Sequence, residues 1–126
     1  MTQSSDGGSF HLNRPGLRKL LGDHEADVMQ AIWERGPVGV TVREIHEALA
    51  GKRDVAYTTV MTIMGNLAKK GLLRAERVGK AHVYYATQTY DQFTETAVAR
   101  IVDELMRDFA APAIAHFQRA IRKERP

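Results

Sequence analysis

Residues 54–85 read D-V-A-Y-T-T-V-M-T-I-M-G-N-L-A-K-K-G-L-L-R-A-E-R-V-G-K-A-H-V-Y-Y. Val60, Ile63, Met64 and Leu67 recur at helical spacing, which predicts a helix with these four facing inward and starting near Val55–Ala56. Thr58, Thr59, Thr62, Gly65, Asn66 and Lys69 are left outside. Lys69-Lys70-Gly71 stops the helix, the glycine suiting a left-handed C-cap. Leu72 to Val78 and Ala81 to Ala86 then read as antiparallel strands around Gly79-Lys80. A helix faced with small polar side chains and followed by a basic hairpin suits a DNA groove and its flanking phosphates.

Upstream, His24 to Arg35 places Val28, Met29, Ile32 and Trp33 on one helical face. Asp23 stands where an N-cap would, Gly36-Pro37 ends the helix, and Trp33 is expected in the core. Thr41-Val-Arg-Glu44 has the pattern of a capping box. It opens a helix with Val42, Ile45 and Leu49 inward, stopping near Gly51. Val38 to Val40 could add a one- or two-residue strand. Helix, strand, helix, helix, strand, strand is a winged-helix layout.

Downstream, a helix is expected from about Asp91 to Phe109, broken by Pro112, with a short last helix from Ala113 to Lys123. Val98, Ile101, Val102, Leu105, Met106 and Phe109 form a wide apolar stripe, which Ile114, Phe117 and Ile121 continue. So short an appendage cannot bury that stripe on itself, so a second copy is the simplest cover. Folding back on the rest of the chain is the alternative. The expected organisation is a disordered arm over 1–16, a winged helix over 17–88 and a helical dimerisation region over 89–126. The arm opens Ser/Gly-rich over 1–13, and Arg14 to Lys19 makes it basic.

Charge follows the motif. The net charge of the 126 residues is only +3, yet residues 52–82 hold seven basic against two acidic side chains. Residues 23–51 carry a net −4. A local positive excess is the footprint of polyanion binding, although any soluble surface has basic stretches.

Threonine is a mediocre helix former, so three threonines in five positions are not explained by helix stability. The hydroxyls of Thr58, Thr59 and Thr62 can bond phosphates or base edges, unless Thr58 or Thr59 merely caps the helix. Tyr57 could donate to a phosphate or be a half-buried core residue. Lys52 and Arg53 precede the helix and could reach the same backbone. Arg77, Lys80 and His82, with Arg74, put cations on the hairpin, where they add salt-dependent affinity rather than sequence choice.

Other chemistries find no support. There is no cysteine, which removes disulfides, thiolate metal sites and cysteine catalysis. Serine occurs only at Ser4, Ser5 and Ser9. No two of His11, His24, His46, His82 and His116 stand three or four apart, so neither a metal site nor a cofactor is expected. No catalytic set appears, and the expectation is not an enzyme. No run approaches the ~18–20 apolar residues of a membrane span, and the start lacks a signal-peptide core. The expected setting is the cytoplasm.

The wording A-Y-T-T-V-M-T at 56–62, K-K-G-L-L at 69–73 and G-K-A-H-V-Y at 79–84 resembles the penicillinase-repressor (BlaI/MecI/CopY) family of winged-helix repressors. So do L-G-D-H-E at 21–25 and T-V-R-E-I at 41–45. The resemblance implies a mainly α winged helix-turn-helix with a C-terminal helical dimerisation region. It implies a homodimer that binds dyad DNA operators as a sequence-specific transcriptional repressor. Carried over by position, Tyr57, Thr58, Thr59 and Thr62 would meet the DNA, with Lys80 and His82 on the wing. A regulatory sensor or protease would be a further partner. The Asn-Phe bond cleaved in the beta-lactam branch is missing, since Asn13 precedes Arg14 and Asn66 precedes Leu67. The cysteine hook of the copper branch is missing too. A winged helix serving only as a protein-interaction module, or binding RNA, is the alternative.

Overall fold

The structure is a computed structural model in which residues 10–124 are described. The chain forms two compact units that divide between Tyr90 and Asp91. The first runs through a 3₁₀ turn (Gly16–Lys19), α1 (Asp23–Glu34), α2 (Val42–Ala50), α3 (Tyr57–Lys69), β1 (Leu73–Val78) and β2 (Ala81–Ala86). This is the winged helix-turn-helix expected above. The second is built on α4 (Tyr90–Glu124).

Apolar spacing decides what each helix of the first unit buries. Val28, Met29 and Ile32 of α1, Ile45 and Leu49 of α2, and Val60, Met64 and Leu67 of α3 meet in one core. Leu73 and Tyr84 close it from the hairpin side. Ile63, expected inward, is half-buried. Trp33 is also half-buried rather than central; its Nε1–H donates to the Gln88 carbonyl at 2.9 Å. Its ring meets Tyr90 edge-on, with centroids 5.4 Å apart.

The α2 capping box forms in full. Glu44 N–H donates to Thr41 Oγ1 at 3.2 Å, and Thr41 N–H donates to Glu44 Oε1 at 2.9 Å. Such a cap is worth about 0.5–2 kcal/mol. At α1 the expected Asp23 cap is replaced by Gly22, whose N–H donates to Glu25 Oε1 at 3.2 Å. Asp23 is the first helical residue instead and takes Arg14 at 2.8 Å and Arg18 at 3.2 Å. From Phe10 onward, therefore, the arm is not free: His11 N–H donates to the Lys19 carbonyl at 2.7 Å. The remainder of the stretch expected to be disordered, residues 1–9, lies outside the described residues.

β1 and β2 pair antiparallel in a register that sets Val78 opposite Ala81. That leaves a two-residue turn with Gly79 at φ 64°. Glycine there permits the primed turn that matches strand twist, and it puts Lys80 at the wing tip. Val40 adds a one-residue third strand, exchanging hydrogen bonds of 2.8 and 2.9 Å with Tyr84. Gly39 lies under this wing; a Cβ there would run into Val83 and stand 2.8 Å from the Tyr85 ring.

In the second unit the expected break at Pro112 takes another form. Helical structure runs from Tyr90 to Glu124, with a kink at Phe109 (φ −138°, ψ 48°). Pro112 has no N–H for the Asp108 carbonyl, and its ring crowds that carbonyl, so the chain yields just after Asp108. Val98, Leu105, Phe109, Ile114, Phe117 and Ile121 are all exposed, and Ile101, Val102 and Met106 are half-exposed.

Candidate nucleic-acid interface

The α3 cap decides how to read its threonines. The N-cap is Ala56, with no side-chain cap bond. Thr58 and Thr59 are therefore not capping residues. Thr58, Thr59 and Thr62 are exposed, and their hydroxyls have no partner among the described residues. Asn66 and Lys69 continue the same exposed face. Tyr57 is 46% exposed, so it is not a core tyrosine. Its ring stands edge-on to His46, with centroids 5.7 Å apart, and His46 Nε2–H donates to the Val55 carbonyl at 2.9 Å. A carbonyl can only accept, which fixes the donor. His46 thus steadies the turn that leads into α3.

The wing splits its cations between two faces. Alternation and register put Arg77 opposite His82, on the side shared with the buried Leu73 and Tyr84. Arg77 Nε–H donates to the Gly79 carbonyl at 3.2 Å, which bends that side chain back toward the turn. Arg74 takes the other face, where it lies 4.6 Å over the Tyr85 ring and pairs with Glu76. It does not join Lys80 and His82.

Those two residues border a cleft of about 440 Å³ between the wing, the first turn of α2 and the start of α3. Tyr57, Met61, Arg43, Lys80 and His82 line it above a floor of Val42 and Tyr84. Two of these, Arg43 and Met61, are missing from the sequence-derived set. The signals existed: the capping box places Arg43 one residue after the inward Val42, and Met61 stands one helical turn after Tyr57.

The two cations before α3 differ. Lys52 is exposed, with no ion pair among the described residues. Arg53 Nε lies 2.5 Å from Asp27 Oδ2, and Asp27 Oδ1 accepts from Arg18 at 2.6 Å. One carboxylate therefore holds the 3₁₀ turn and the segment before α3 against α1. Lys70 is likewise committed, to Glu25 at 2.6 Å.

The chain is similar to known proteins. Residues 21–124 match the sequence profile of the penicillinase repressor family. A protein named transcriptional regulator BlaI, from two strains of Mycobacterium tuberculosis, is 41% identical over 101 residues, covering 77% of this chain and 70% of that protein. An uncharacterized 16.5 kDa protein of Latilactobacillus sakei is 33% identical over 81 residues, covering 64% of this chain and 54% of that one. The solution structure of the DNA-binding domain of the repressor BlaI superposes with a TM-score of 0.49 at 26% identity, over 56% of this chain and 83% of that chain. With a profile match from Leu21 to Glu124 and a relative at 41% identity, the chain belongs to the penicillinase repressor family.

Proposed function

We propose that the protein is a homodimeric repressor that reads dyad operators with α3, grips the flanking phosphates with its wing and pairs through α4. Family membership carries the coarser statement: the protein is a winged-helix DNA-binding transcriptional repressor. The observation that supports the finer reading is the exposed hydroxyl face of α3 next to the wing tip Lys80, neither of which has a hydrogen-bond or ion-pair partner among the described residues.

The roles follow from chemistry. Thr58, Thr59 and Thr62 can bond base edges, and their methyls can meet a thymine methyl. Tyr57 can donate to a phosphate. Lys52, Lys80 and His82 supply the electrostatic share, with Arg77 beside them. Arg53 contributes only if it leaves Asp27. The stripe Val98, Ile101, Val102, Leu105, Met106 and Phe109, with Phe117 and Ile121, is the surface for the second copy, since its larger residues stay exposed within one chain. Two half-sites then bind as one unit. A sensor or protease that opens the α4 pairing, for instance at the exposed kink residue Phe109, would release the DNA without touching α3.

A gel shift with DNA from the chain's own promoter region, challenged with RNA and with unrelated duplex, tests this reading. Binding that survives both competitors supports it. Displacement by RNA favours the RNA-binding alternative. No shift favours a winged helix that serves as a protein-interaction module.

A further inference from the structure

We infer that Arg43, on α2 rather than on the recognition helix or the wing, is a phosphate-binding residue, and that the cleft it shares with Lys80 and His82 seats the DNA strand bordering the groove entered by α3. The inference rests on the DNA-binding reading given above.

Three observations carry it. First, the cleft collects basic side chains without an acidic one. Arg43, Lys80 and His82 come from two different elements, and no Asp or Glu stands among its lining residues. Glu44, the nearest acid along the chain, is not among them; its carboxylate accepts from the Thr41 N–H at 2.9 Å and lies 4.0 Å from Arg35. Second, these cations are unspent. Arg43 and Lys80 are exposed and have no hydrogen bond or ion pair among the described residues, whereas Arg18, Arg53, Lys70 and Arg74 are all paired. Two cations, Arg43 and Lys80, that border one cleft without internal partners repel one another until an anion arrives. Third, the cleft adjoins the reading face, because Tyr57 and Met61, which line it, are exposed on α3 next in sequence to Thr58 and Thr62. A phosphodiester strand lying there runs directly beside the bases that α3 would meet. The planar guanidinium of Arg43 suits two oxygens of one phosphate, while Lys80 acts as a point charge. The Tyr57 hydroxyl can donate to a neighbouring oxygen.

Arg43→Ala, Arg43→Lys, Lys80→Ala and the Arg43→Ala/Lys80→Ala double variant, made in the full chain, test the assignment. Two labelled duplexes serve as probes: one of random sequence, and one enriched by the wild-type protein from a random pool. Affinity is measured over a salt series. Each lost phosphate contact should flatten the slope of log affinity against log salt by ~0.9, and the double variant by about twice that. Arg43→Ala should weaken binding by the same factor on both duplexes, and Arg43→Lys should restore the slope. An unchanged slope in Arg43→Ala, with the wild type still binding, overturns the assignment and leaves the proposed function standing. A slope that Arg43→Lys fails to restore overturns it as well, because a charge contact survives that exchange. If the wild type binds neither duplex, the DNA-binding reading itself falls and takes the inference with it.

Discussion

The first unit and α4 both carry apolar residues at helical spacing, yet they treat them oppositely. Val60, Met64 and Leu67 of α3 are 0% exposed, whereas Phe109 and Ile121 of α4 are 62% and 57% exposed. α3 has α1, α2 and the hairpin to pack against within its own unit. The difference teaches that periodicity alone identifies an amphipathic face and not what covers it. What decides is whether enough elements of the same unit surround it.

The largest effect should come from Leu105→Asp. A charge in the middle of the α4 stripe should give monomers in sedimentation and lower affinity for a dyad operator by ~10²–10⁴-fold, the gain that linking two sites provides. The melting of the first unit should stay as it was. A dimer that persists and binds normally would place the interface elsewhere and erase the contrast.

Met64→Ala reverses the pattern. It opens a cavity beneath α3 and should cost about 2–5 kcal/mol in chemical denaturation. At temperatures where the variant remains folded, its dimerisation should match the wild type. If it splits the dimer instead, the two units are not separate.

Thr62→Val should have the smallest effect and the most specific one. It preserves shape and removes only the hydroxyl. Discrimination between the preferred duplex and a single-base variant should fall by ~1–3 kcal/mol, with the salt slope unchanged. Equal weakening on every duplex would remove Thr62 from the base-reading set.

The sequence made local features legible. Thr41 and Glu44 predicted their own cap because both partners lie within one turn. Gly79-Lys80 predicted the hairpin because a two-residue turn has few solutions. Val38–Val40 hinted at its strand, and Val40 alone forms it. What stayed hidden depends on distant partners. Arg53 and Asp27 are 26 positions apart, and Lys70 and Glu25 are 45 apart, so no window reveals that these cations are already engaged. The same holds for the cleft, where α2, α3 and the wing converge only after folding. The break was legible in place, since the expected helix ended at Phe109 where the kink falls, but not in kind, since helical structure resumes at once rather than at Ala113. Pro112 marks where a donor is missing, but the backbone gives way near the carbonyl that loses it, one turn earlier.

Gly39 has a consequence for descent. Even one added methyl at this position collides with Val83 and crowds the Tyr85 ring, and neither side chain can swing away cheaply, since one is β-branched and the other is a rigid plane. Position 39 therefore cannot drift alone. A lineage that acquires alanine there must also make room at both 83 and 85, or else accept a displaced wing and with it a different grip on its target. The three positions should change together or not at all. Gene regulation by such a protein is then buffered against single changes at this spot, while remaining open to a concerted change that shifts the wing as a whole.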